Sequence, residues 1–136
     1  MAADMFKLSI VTPEKIFYEG DVSSVIVPGS EGYLGVLTDH APLITAIAPG
    51  KVTLKDQARE EIEMAVSYGF FEVSFNHATL LVDSVEFKSD IDLERARKAQ
   101  DRARERLTNL IGEIDISRAR RALERAKNRI RLAKSE

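Results

Sequence analysis

Proline and glycine divide this chain into two regimes. All four prolines and six of the seven glycines precede residue 89, and only Gly112 lies beyond it. Proline removes a backbone donor and glycine weakens a helix interior, so residues 1–89 are suited to short elements joined by turns. Residues 90–136 carry neither restriction except at Gly112, and they are free to run as long helices.

Within the first part, strand-like runs fall at residues 7–12, 16–18, 22–27, 33–37, 43–48, 51–55, 61–67, 70–75 and 79–87. Leu8 and Ile10 share one face of the first run, and residues 22–27 are rich in β-branched side chains. Pro28-Gly29-Ser30-Glu31-Gly32 is a strong turn signal. Turns every eight to twelve residues or so predict an antiparallel β-sandwich or barrel. Residues 41–45 fit a strand or a short helical turn, and periodicity leaves both open.

The hydrophobic period changes near Ser89. Leu93, Ala96, Ala99, Ala103, Leu107 and Leu110 recur at steps of three or four, and Ile116, Ala119, Leu123, Ala126, Ile130 and Ala133 repeat the pattern. Asp90 or Asp92 can cap the first helix, and Gly112 and Asp115 mark the turn and the next cap. The prediction is an antiparallel two-helix hairpin with an alanine-rich seam. Alanine buries little area, so at about 25 cal/mol per Å² such a seam holds weakly and the hairpin is expected to move.

Composition narrows the function classes. With 44% apolar residues the chain can build a core, and no uncharged run approaches the ~20 residues a bilayer needs. The first residues read as no targeting signal. Without cysteine there are no disulfides, thiolate metal sites or thiol nucleophile. Charge is split: residues 1–89 hold six Lys and Arg against thirteen Asp and Glu, a net −7, whereas residues 90–136 hold fourteen against nine, a net +5. The second part contains eleven arginines, the first only Arg59.

At 100° per residue, Arg95, Arg102 and Arg106 fall on one side of the first alanine stripe, and Arg118, Arg125 and Arg129 on the same rotational side of the second. In an antiparallel pair these sides form one flank, so Arg95, Arg102, Arg125 and Arg129 are expected to converge. Arg97, Arg104 and Arg120 have carboxylates at helical spacing in Glu94, Asp101 and Glu124, whereas Arg125 and Arg129 have none three or four positions away. Converging cations repel unless an anion joins them, and a polyphosphate suits guanidinium. A solvated basic face is the alternative. Nucleic acid is disfavoured, because the tail has no aromatic for base stacking and carboxylates interrupt its flanks.

Catalytic motifs are missing. Gly50-Lys51 is followed by Val52 and is no phosphate-binding loop. Gly29, Gly32 and Gly35 read as turn glycines. His40 and His77 lie far apart, no metal-ligand spacing occurs, and His40 is expected to be a structural hydrogen-bonding residue. No active site of the chain's own is expected.

The stretch Gly29-Ser30-Glu31-Gly32-Tyr33-Leu34-Gly35-Val36-Leu37-Thr38-Asp39-His40-Ala41-Pro42-Leu43 resembles the signature of the epsilon subunits of bacterial F-type ATP synthases. Tyr68-Gly69-Phe70-Phe71-Glu72-Val73 is similar to a later strand of that family, with Tyr68 in place of its first glycine. The tail resembles the family's helical domain, so the likeness covers essentially the whole chain.

This resemblance implies a β-sandwich over residues 1–88 and a helical hairpin over residues 89–136. It implies a non-catalytic rotor subunit of the central stalk, coupling proton transport to ATP synthesis, with the sandwich packed on the gamma subunit and the c-ring. The hairpin would fold down or extend toward the alpha/beta hexamer and inhibit ATP hydrolysis. Several bacterial members bind ATP in the folded-down form through an Ile/Leu-Asp-x-x-Arg-Ala motif. It matches Ile91, Asp92, Arg95 and Ala96 here, with the acidic partner at Glu86 and helix arginines at Arg102, Arg125 and Arg129. ATP would be a regulatory ligand, with no metal or prosthetic group. The second copy, Ile114-Asp115-Ile116-Ser117-Arg118-Ala119, matches the start of the second helix. A peripheral position on the cytoplasmic face of the plasma membrane follows, with no membrane insertion. The alternatives are the same subunit with a hairpin that binds no nucleotide, or a basic-armed RNA-binding adaptor.

Overall fold

The computed structural model describes residues 4–109 and 113–135, with side chains of residues 113–115 excepted. It divides into two compact units, residues 1–87 and residues 88–136.

The first unit contains nine strands: β1 (Phe6–Val11), β2 (Ile16–Gly29), β3 (Gly32–Leu37), β4 (Leu43–Ile47), β5 (Gly50–Asp56), β6 (Glu61–Val66), β7 (Gly69–Ser74), β8 (His77–Val82) and β9 (Val85–Phe87). Residues 43–47 are therefore strand. The runs expected at 16–18 and 22–27 join into one strand of 14 residues, because Gly20-Asp21 is extended rather than turned. The run expected at 79–87 breaks after Val82, where Asp83 N donates to Tyr68 O at 2.9 Å.

Strand β2 connects the two layers. Its first half pairs with β1 from Phe6↔Val22 to Val11↔Ile16. Its second half pairs with β3 on one edge and β5 on the other, with the register shifting between Val22 and Ser24. One layer runs β4-β7-β8-β1 and the other continues from β5 through β6 to β9. Gly29↔Ile47 joins β2 to β4. The expected antiparallel arrangement has one exception, since β1 and β8 run parallel from Lys7↔His77 to Val11↔Leu81.

Alternation supplies the core. Leu8, Ile10, Val25, Val27, Val52, Leu54, Met64, Phe71 and Leu80 are all fully buried between the layers. The hairpin between Gly29 and Gly32 turns through Ser30 and Glu31, with Gly32 at φ 138°. Gly35 is not a turn glycine, because it lies within β3 opposite Ile26.

The second unit opens with a 3₁₀ turn at Lys88–Asp90, followed by α1 (Leu93–Thr108) and α2 (Glu113–Lys134). Ala96, Ala103, Ala119 and Ala126 are buried, as the stripes predict. Asn128 and Leu132 are buried as well, which the simple period did not anticipate. The expected turn residue Gly112 lies outside the described residues. Asp115 is not a cap, because α2 begins two residues earlier at Glu113.

Gly69 is the most tightly enclosed glycine of the sandwich. It pairs with Val82, and a Cβ there would fall on the Leu81 carbonyl oxygen. A Cβ at Gly35 would meet only Ile26 Cγ1 at 3.9 Å. Gly69→Ala is therefore expected to destabilise the protein by about 2 kcal/mol or more, as overpacking does, while Gly35→Ala stays within about 1 kcal/mol of wild type. Urea titration of both variants checks the contrast.

Candidate functional site

The start of α1 is built by three residues of one motif. Asp92, at φ −90° and ψ 106°, is the N-cap, and its Oδ1 accepts from the Arg95 backbone N–H at 3.1 Å. Ala96 N donates to Asp92 O at 3.0 Å, closing the first helical turn. Ile91 precedes the cap and Ala96 is the fourth helical residue, the two positions of a hydrophobic staple. Ala96 is buried and Ile91 half-buried. Ile91, Asp92 and Ala96 thus have roles in starting the helix, whatever else they do. Arg95 is different: helix initiation uses its backbone N–H alone, and its side chain is exposed.

The second copy of the motif is not equivalent. With α2 starting at Glu113, Asp115 is the third helical residue, whereas Asp92 precedes α1. Similar sequence therefore occupies two different phases of a helix start.

The remaining predicted residues fall on both units. Arg102 lies on α1, seven positions after Arg95 and so about 20° from it around the helix axis, and it too is exposed. Arg125 and Arg129 lie one turn apart on α2, about 40° apart in phase, and both are half-buried. Glu124 pairs with Lys127 at 3.8 Å rather than with Arg120, and among the described residues Arg97 with Glu94 and Arg104 with Asp101 form no ion pair either, so the pairs expected from spacing are not those observed. Glu86 belongs to the first unit, on β9 opposite Ala65. Neither Glu86 nor Arg129 is without a partner.

Half-burial makes a guanidinium costlier to leave without an anion, because it has lost part of its hydration. Arg95 and Arg102 on α1 and Arg125 and Arg129 on α2 carry guanidinium donors of the kind that hold a polyphosphate or a cluster of carboxylates. No site for a metal formed by three or more His, Asp or Glu exists among the described residues.

Other polar groups do not assemble into reaction chemistry. A groove of about 520 Å³ in the first unit is lined by Lys7, Tyr18, Glu19, Asp21, Asp56 and Gln57. Its carboxylates outnumber its one lysine, so it repels phosphate. Burial first, then Asp56 and Asp21, push the Tyr18 hydroxyl above its ordinary range. Buried Ser9 lies between His77 Nε2 at 3.2 Å and Glu19 Oε2 at 3.4 Å. This trio escaped sequence reasoning because its members are far apart in the chain. Here serine bridges the other two, whereas a catalytic triad places histidine between nucleophile and acid. His40 Nδ1–H donates to the Ala41 carbonyl at 2.6 Å, a local structural bond as expected.

Comparison with known proteins gives these features a family. Residues 5–88 match the beta-sandwich domain of the ATP synthase delta/epsilon chain, and residues 89–134 match its long alpha-helix domain. The ATP synthase epsilon chain of Moorella thermoacetica is 46% identical over 74% of this chain and 75% of its own length. That of Brevibacillus brevis is 41% identical over 78% of this chain and 80% of its own. Among solved structures, a chain of the Euglena gracilis mitochondrial ATP synthase superposes with a TM-score of 0.76 at 21% identity, covering 93% of this chain and 79% of that one. A chain from the central stalk and c-ring of the Tetrahymena thermophila mitochondrial ATP synthase gives 0.70 at 12% identity, covering 94% and 96%. With a sandwich and a helical domain both matched in sequence and relatives above 40% identity, this chain belongs to the delta/epsilon family of ATP synthase chains.

Proposed function

We propose that the chain is a non-catalytic rotor subunit of a bacterial F-type ATP synthase whose basic hairpin is an ATP-sensitive brake. The sandwich would bind the gamma subunit and the c-ring, at the cytoplasmic face of the plasma membrane and without inserting into it. In this way it would take part in coupling proton transport to ATP synthesis. The observation that carries the reading is Arg95: among the distinctive residues of Ile91-Asp92-Leu93-Glu94-Arg95-Ala96, its side chain alone has no part in starting α1. It shares its helix flank with Arg102, and half-buried Arg125 and Arg129 supply further guanidinium donors on α2.

In the compact state Asp92 and Glu86 would face the nucleoside, with Ile91 and Ala96 as the apolar wall. Arg95, Arg102, Arg125 and Arg129 would supply charge-assisted hydrogen bonds to the phosphates. No metal is assigned. A ligand bound only by this state stabilises it by RT ln(1+[L]/Kd), about 2.7 kcal/mol at a hundredfold excess over Kd. An alanine seam offers little competing burial, so this amount is enough to decide between a compact and an extended hairpin. When ATP is scarce, the extended hairpin would meet acidic surfaces of the alpha/beta hexamer and slow hydrolysis. A structural hairpin that binds no nucleotide is the second reading, favoured by the complete account that helix initiation gives of Ile91, Asp92 and Ala96.

Calorimetry on the full chain separates the two. ATP should give a saturable heat, and Arg102→Ala or Arg129→Ala should weaken it about tenfold or more, the scale of a lost contact to a charged group. Absence of heat at millimolar ATP would leave only the structural hairpin. Asp92 has its own test, because Asn caps a helix about as well as Asp does. Asp92→Asn should keep the helical circular dichroism of wild type while ATP affinity falls. Asp92→Ala should also lose about 1 kcal/mol of helix stability. Wild-type ATP affinity in Asp92→Asn would restrict Asp92 to capping.

A further inference from the structure

The hairpin loop between β7 and β8 combines backbone strain with complete exposure. Ser74 pairs with His77, so Phe75 and Asn76 are the two loop residues, at φ 49° and 56°. Such a turn favours Asn-Gly, and a bulky side chain in left-handed backbone is disfavoured. Phe75 nevertheless occupies the first position, and its side chain is 96% exposed. The strain is offset by no burial within the chain.

The loop is also braced. Asn76 Oδ1 accepts from Asp39 N at 2.6 Å, and Asn76 Nδ2 donates to Asp39 Oδ1 at 2.9 Å. Asp39 is itself left-handed at φ 60°. Asn76 O accepts from Lys7 N at 3.1 Å, which ties the turn to β1. Leu37, two residues before Asp39, is 64% exposed. An aromatic ring is therefore presented from a turn hydrogen-bonded to two neighbouring segments, with a second exposed apolar side chain at the end of β3.

We propose that Phe75 is the aromatic anchor of the sandwich at its interface with the gamma subunit, inserting into an apolar pocket with a basic rim. This rests on the rotor reading above. Strained, over-determined backbone is found where a site needs its group fixed beforehand, and a fixed side chain loses less entropy on binding. Aromatic side chains in fully desolvated pockets dominate protein interfaces. Charge selects a protein rather than a lipid surface. Residues 1–89 carry a net −7, which an anionic bilayer repels and a basic protein rim attracts.

The test is Phe75→Gly in the full chain, alongside wild type, titrated against purified gamma subunit from the same enzyme. Glycine suits the left-handed position, so the variant should melt a few degrees higher, about 4 °C, while its affinity for gamma falls about thirtyfold, the scale of a hot-spot residue. Phe75→Tyr should retain the affinity. A residue with a merely structural role would not raise stability and lower affinity together. Wild type binding gamma with Phe75→Gly binding equally well overturns the anchor and leaves the rotor reading standing. Failure of folded wild type to bind gamma overturns both. Sedimentation showing that Phe75→Gly abolishes self-association, or loss of binding to anionic phosphatidylserine vesicles, with gamma affinity unchanged, reassigns the ring to a second copy or to a membrane and refutes the proposal.

Discussion

One strand holds the sandwich together. β2 runs from Ile16 to Gly29, gives its first half to β1 and its second to β3 and β5, and shifts register at Val22/Ser24 between them. Because side chains alternate along a strand, Val22, Val25 and Val27 can all be buried only if that shift corrects the phase after Val22. The layers therefore share a covalent seam as well as an apolar core. The loops at either end, including the Phe75 turn and the Ser30-Glu31 hairpin, are carried on this frame.

Much of this organisation was legible in the chain. Alternating apolar residues located the strands, and the step to three-and-four spacing at Leu93 located the helices. The errors came where a local signal meets a tertiary demand. Gly20 reads as punctuation, but pairing with Leu8 keeps it extended. The parallel β1–β8 pair has no sequence signature, since period-two alternation carries no strand direction. Asn128 and Leu132 were missed because burial follows the neighbours of α2 as well as its ideal period.

For the candidate site, spacing identified the motif at the start of α1. It could not distinguish the two copies of that motif. Whether an aspartate caps a helix depends on where the backbone leaves helical geometry, and a shift of a few residues changes its role. Asp92 is the cap of α1, whereas Asp115 lies inside the first turn of α2. The copies therefore stand at different positions relative to their helix starts, although their sequences are nearly alike. The braced Phe75 turn was not legible either, because Ser-Phe-Asn-His carries no glycine to announce left-handed backbone.

The parallel pairing of β1 with β8 also sets the order in which the sandwich can form. Lys7 is registered with His77, seventy positions later in the chain, so the first strand made is among the last to complete its contacts. Until β8 emerges from the ribosome, one edge of β1 lacks the neighbour it will have, and Leu8 and Ile10 lack part of their cover. Long-range pairings of this kind slow folding and prolong the exposure of apolar strand edges. The acidic charge concentrated in residues 1–89 then acquires a role during synthesis, because mutual repulsion between nascent chains opposes their association through that edge.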